Sequence, residues 1–179
     1  MSAHTFVAYV EDKPGVLNRV ASLFRRRTFN IESLTVGHTD QPGVSRMTIV
    51  VDTDELGARR VEANLYKLVN VLRVDNVTAQ ATVERDLALI KVTAKNGKRS
   101  EIMQLVDVYR ARIVDVTTES LVVEITGTED KIESMVEILR PFGIIEMVRT
   151  GVVSMARGAT APSANPPMVA ATLADVALN

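Results

Sequence analysis

The sequence predicts an α+β chain built from two consecutive βαββαβ units, each a four-stranded antiparallel sheet with two helices on one face. Three observations carry this expectation. Short segments whose apolar residues alternate are interleaved with longer ones whose apolar residues recur every three or four positions. That order runs through the chain twice, and 179 residues are enough for two small units with a core each.

The first strand covers residues 4 to 11, which alternate and are rich in β-branched and aromatic types. After Pro14, the residues Val16, Leu17, Val20, Ala21 and Phe24 follow helical spacing, with Arg19, Ser22 and Arg26 opposite. Pro14 suits the first helical turn, because its fixed φ fits and its missing N–H would have had no partner there; Gly15 removes a side chain from the same turn. The N–H groups of Gly15, Val16 and Leu17 would then form an approachable helix N-terminus that attracts a carboxylate. Plain helix initiation in a tight turn explains the stretch as well.

Residues 30 to 39 and 44 to 51 read as a hairpin joined by DQPG, with Pro42 and Gly43 at the centre of a type II turn. From Asp54 the positions Ala58, Val61, Leu65 and Leu68 mark a second helix, with Asp52 and Glu55 as its starting box, and residues 69 to 77 form the fourth strand. The second unit repeats the order. A strand at 87 to 94 precedes a helix marked by Ile102, Leu105, Val106 and Tyr109; the hairpin 111 to 126, a helix marked by Ile132, Met135, Val136 and Leu139, and a strand at 143 to 153 complete it. This is the split βαβ order of ferredoxin-like domains. The joint is placed near TVERD at 82 to 86, giving domains 1–80 and 81–158. Residues 159–179, rich in alanine and proline, read as a flexible tail, with a short partner-docking helix as the lesser reading.

Without cysteine, disulfides and thiol chemistry are excluded, and a cytoplasmic location is expected. A formal charge of −1 provides no field for a polyanion or an anionic membrane, and no run approaches transmembrane length, so neither nucleic acid nor membrane is expected as a partner. No catalytic and no metal-binding residues are assigned. His4 and His38 stand at strand ends without a second ligand at metal spacing, and the carboxylates Glu11-Asp12, Asp52-Asp54-Glu55 and Glu129-Asp130 read as helix-capping charge. The basic run Arg25-Arg26-Arg27 reads as a complement to the negative end of a helix. Aromatics at 4% leave the central strands without an RNA-stacking platform.

The segment EDKPGVLNRVASLFRRRTFNIESLTV resembles the ACT domain, an amino-acid-sensing module of the ferredoxin-like fold. NIESLTVGHTDQPGVSRMTIVV, LYKLVNVLRV, RARIVDVTTESLVVEITGTEDKIE and RTGVVSMARG resemble the regulatory, or small, subunit family of acetohydroxyacid synthase, also called acetolactate synthase. The resemblance covers residues 4 to 158. It implies a non-catalytic subunit that stimulates a separate catalytic subunit and makes it sensitive to branched-chain amino acids, valine foremost, in valine, leucine and isoleucine synthesis. Thiamine diphosphate, Mg²⁺ and FAD would belong to that partner, with no cofactor on this chain.

The resemblance also implies a homodimer of ACT domains, with effector between the first loop and helix of one protomer and the second strand of the other. Its residues here would be Asp12, Gly15, Val16, Asn30 and Ile31. Asp12 stands where relatives carry Asn; its carboxylate suits an ammonium and opposes a carboxylate, whereas the Asn30 amide serves both. The second domain lacks the Pro-Gly start and carries Asn96-Gly97 instead, so no effector is expected there. An ACT-type sensor regulating a different enzyme is the alternative reading.

Overall fold

Strand β1 (Ser2–Glu11) uses the alternation of its sequence to divide two environments: Phe6, Ala8 and Val10 enter the helix-covered core, and their neighbours face the other side of the sheet. The computed structural model describes residues 2–95 and 97–158, so the expected tail lies outside the described residues. The remaining elements of the first unit are α1 (Val16–Arg26), β2 (Ile31–His38), β3 (Val44–Thr53), α2 (Glu55–Leu65) and β4 (Val71–Asn76). Their strands lie in the order β2-β3-β1-β4, all antiparallel, which places β2 at an edge. The second unit contains β5 (Thr82–Thr93), α3 (Arg99–Val108), β6 (Arg112–Val116), β7 (Ser120–Gly127), α4 (Glu129–Leu139), β8 (Ile144–Arg149) and β9 (Val153–Ala156). Its sheet has the order β6-β7-β5-β8, with β9 also on β5. These are the two ferredoxin-like units predicted.

The chain divides into one unit of residues up to Thr82 with the described residues from Ala156, and another spanning Val83–Met155. The division falls within TVERD, which is strand. This segment opens β5, because strand pairing with β9 satisfies its backbone. The closing strand expected at 143 to 153 is interrupted at Thr150, whose N–H and hydroxyl turn back to Leu87, and resumes as β9.

Helix α1 buries Val16, Val20, Leu23 and Phe24, while Leu17 is 46% exposed and Ala21 is also exposed. The expected stripe is displaced by one step. At about 100° per residue, Leu23 lies close to Val16, whereas Leu17 and Ala21 lie about 100° and 140° round from it. Pro14 is also outside the helix. Lys13-Pro14-Gly15-Val16 forms a tight turn, closed by Val16 N–H on the Lys13 carbonyl (3.3 Å), with Gly15 at φ +84°. Gln41-Pro42-Gly43-Val44 has the same construction, with a closing bond of 3.2 Å and Gly43 at φ +78°. Both match a type II turn, in which proline presets the second position and glycine takes the left-handed third.

Helix α2 is capped by Asp54, whose carboxylate accepts the Gly57 N–H at 2.7 Å; the expected Asp52–Glu55 box is replaced because β3 continues to Thr53. After α1 and after α3 the chain leaves through a non-glycine residue in the left-handed region, Thr28 (φ +56°) and Arg110 (φ +51°). Each is followed by an N–H reaching back five residues, Phe29 to Phe24 and Ala111 to Val106. In the second unit, Asp86 of β5 has a side chain only 1% exposed and pairs with Arg149, which also binds Glu133 (2.6 Å) and approaches Glu129 (3.6 Å). Burial opposes the Arg149 charge, but the bonds to Asp86 and Glu133 outweigh it and hold the guanidinium pKa above its ordinary value.

Two stability measurements follow from these contacts. Asp54→Ala removes the cap of α2 and is expected to lower unfolding free energy by about 1 kcal/mol in urea titration. Arg149→Met leaves the Asp86 carboxylate buried without its cation and is expected to cost about 3–5 kcal/mol, seen as early unfolding of the second unit.

Candidate functional site

The loop between β1 and α1 is held on both flanks. On one side Glu11 donates its N–H to the Asn70 carbonyl (2.9 Å) and accepts the Asn70 side-chain amide on its carboxylate (2.5 Å). Asn70 Oδ1 in turn accepts from Arg19 Nη1 of α1 at 2.6 Å. The bonds from Asn70 and then Lys13 hold the Glu11 carboxyl below the usual carboxylate range. On the other side Asp12 donates its N–H to the Gly43 carbonyl (2.8 Å), accepts the Ser45 hydroxyl on Oδ1 (3.2 Å) and places Oδ2 3.2 Å from His38 Nδ1. Glu11 and Asp12 are anchors of the loop and do not cap α1, which has no acidic residue in its first turn. The intervening Lys13–Val16 turn separates them from the helix.

At the helix start, Gly15 N–H, Leu17 N–H and Asn18 N–H have no partner among the described residues, while Val16 N–H is used by the turn and Arg19 N–H by Gly15. The expected donor set thus loses Val16 and gains Asn18. Such donors, with the positive end of the helix behind them, suit a carboxylate. A Cβ built on Gly15 would meet nothing within 4 Å, so glycine is required there for its φ of +84° and not for room. The Val16 side chain is 5% exposed and belongs to the core, which leaves only its backbone for the loop.

Asn30 is exposed just before β2 and donates its amide to Glu32 Oε1 at 2.5 Å. Ile31 opens β2, pairs with Val51 and packs half-buried against the first core. Asn30 borders an open groove of about 750 Å³ together with Arg27, Thr28, Arg60 and Lys67. Strand β3 shows how far this is from the loop: Glu11 pairs with Val44 and Ile31 pairs with Val51, seven residues further. At about 3.3 Å per residue that is roughly 23 Å. The structure therefore brings Asp12, Gly15 and Val16 together, and Asn30 with Ile31, but keeps the two groups at opposite ends of the first sheet.

The second unit has a related turn before α3: Lys98 N–H reaches the Lys95 carbonyl at 3.3 Å, and Gly97 has φ +77°. The glycine geometry recurs where the proline does not. His4 is buried with Nδ1 unpartnered, His38 is exposed on Asp12, and among the described residues no group of three or more acidic or imidazole ligands could hold a metal. Sequence reasoning missed Asn70, Ser45 and His38 as loop anchors. The Asn70–Glu11 bond crosses 59 residues, and nothing in either local sequence signals it.

Residues 6–73 match the AHAS small subunit-like ACT domain model, and residues 85–158 match the model of the small subunit of acetolactate synthase. The chain is 51% identical over 155 residues to a probable acetolactate synthase small subunit of Archaeoglobus fulgidus, covering 87% of this chain and 97% of that one. It is 46% identical over 150 residues to the acetolactate synthase small subunit of Bacillus subtilis, covering 83% and 87%. The crystal structure of the acetolactate synthase small subunit from Thermotoga maritima superposes with a TM-score of 0.83 at 40% identity, covering 88% of this chain and 99% of that one. Sequence, domain order and fold agree, and the chain belongs to the family of acetolactate synthase small subunits.

Proposed function

We propose that this chain is the regulatory subunit of an acetolactate synthase, stimulating a catalytic subunit and making it sensitive to branched-chain amino acids, valine foremost. One observation carries the effector reading: the open helix start beside Asp12 and the Asn30 amide lie at opposite ends of the first sheet, and the strand linking those ends, β2, is an exposed sheet edge. A two-fold dimer pairing β2 with its copy runs the two strands antiparallel. The start of each β2 then lies beside the end of the other. Because His38, the last residue of β2, contacts Asp12, this brings Asn30 of one protomer to the first loop of its partner.

In that dimer the free N–H groups of Gly15, Leu17 and Asn18 receive the effector carboxylate, and Asn30 from the facing protomer bonds its polar head. The Asp12 carboxylate faces the hairpin through Ser45 and His38, which reduces its opposition to an incoming anion. Effector needs only a higher affinity for the dimer arrangement that holds the catalytic subunit less active; a difference of about 1–3 kcal/mol suffices. The carbon–carbon bond-forming chemistry, with thiamine diphosphate, Mg²⁺ and FAD, belongs to the catalytic subunit, and the assembly is cytoplasmic.

The test adds this chain to the isolated catalytic subunit and measures acetolactate formation with valine, leucine or isoleucine. Stimulation, with inhibition by at least one of the three, is expected. Amino-acid binding without stimulation would instead assign the chain to another enzyme. Asn30→Ala is expected to stimulate normally while the half-inhibiting effector concentration rises by about tenfold or more, as for loss of a hydrogen bond to a charged group. Full sensitivity in that variant would remove Asn30 from the site.

A further inference from the structure

We propose that Asn70 is a positioning residue for the effector loop, fixing the start of α1 against the end of β1 so that the helix N–H groups keep the geometry that effector binds. The inference rests on the effector reading above. Asn70 lies in the turn before β4 and makes three bonds to the two flanks of the loop: its carbonyl takes Glu11 N–H, its amide donates to Glu11 Oε2, and its Oδ1 accepts from Arg19 Nη1. Glu11 and Arg19 bracket residues 12 to 18, the segment carrying Gly15, Leu17 and Asn18. One residue therefore closes that segment at both ends.

A bridge of this kind acts on affinity. Effector must find its donors at fixed spacing, and a loop free to move loses binding energy in being ordered. Asn70 suits the task because its amide is donor and acceptor at once, facing an acceptor in Glu11 and a donor in Arg19. The hairpin contacts of Asp12 hold the same loop from the other flank, so removing the Asn70 bridge loosens the α1 side without detaching the loop.

The test exchanges the partners' roles. Asn70→Asp keeps an acceptor for Arg19 but sets two carboxylates against each other; adding Glu11→Gln restores a donor–acceptor pair across the same contact with its direction reversed. Binding of valine, leucine and isoleucine to the full chain is measured by titration calorimetry, with melting temperature recorded in the absence of effector. Asn70→Asp is expected to weaken binding by about two- to thirtyfold. Glu11→Gln alone is expected to stay within about twofold of the parent, since a glutamine amide still offers its oxygen to the Asn70 donor, and the double variant within about threefold. Should Asn70→Asp fail to fold, Arg19→Gln removes the exposed arm of the bridge and is read in the same way. Unchanged affinity in the Asn70 or Arg19 variant, or no recovery in the double variant, overturns the inference. If the parent chain binds none of the three amino acids, the effector reading falls and takes this inference with it; if the parent binds and the variants match it, only the role of Asn70 falls.

Discussion

Each sheet has its helices on one face only, and the apolar core packed on that face governs the rest of the structure. In the first unit Phe6, Ala8 and Val10 of β1 and Met47, Ile49 and Val51 of β3 meet the stripes of α1 and α2. Burying the larger of these side chains, Phe6, Val10, Met47, Ile49 and Val51, stabilises each by about 1.5–3 kcal/mol, enough to fix strand register, because a slip of one residue would exchange the two faces. The same burial sets the direction of α1 across the sheet. The helix must cross over β3 before the chain returns along the edge as β2, so the beginning and end of α1 are held apart as firmly as the core is packed.

In the proposed effector site, that separation requires the first loop and Asn30 to come from different chains. The loop is prepared for this by polar contacts on both sides, Asn70 bridging Glu11 and Arg19, and Ser45, His38 and Gly43 engaging Asp12. These bonds are individually modest in water. Together they hold a short segment whose donors face outward, and the left-handed glycine at position 15 lets the chain turn into the helix without using the N–H groups of Leu17 and Asn18.

The second unit repeats the architecture with different emphasis. Its turn before α3 keeps a left-handed glycine at 97 and its exit from α3 keeps a left-handed residue at 110, as the first unit does at 15 and 28. Backbone geometry is thus common to both, whereas the side chains differ. Where the first unit gathers anchors around an open helix start, the second places a cluster of ion pairs, Asp86 and Glu133 about Arg149, between β5, β8 and α4. That arrangement ties elements together and leaves one Asp86 oxygen buried without a partner.

The two βαββαβ units, the Pro42-Gly43 turn and the apolar positions of most elements were legible in the residues alone, because alternation, helical spacing and the conformational habits of proline and glycine all act between near neighbours. Gly15 is legible as part of an open helix start from the residues themselves, whereas Asn30 is a candidate only through the family resemblance. Whatever depended on angles or on distant partners was not legible. A helix stripe read to within one residue still misplaced Leu17, Ala21 and Leu23, since 100° per residue turns a small error into a different face. Pro14 moved from helix to turn because Val16 N–H closes a turn on the Lys13 carbonyl and the helix begins only after the left-handed Gly15. The extent of β5 through TVERD, the cap at Asp54, the anchoring of Asp12 by the hairpin and the reach of Asn70 to Glu11 and Arg19 emerged only from the folded chain, because each depends on which segments the packed sheet brings side by side.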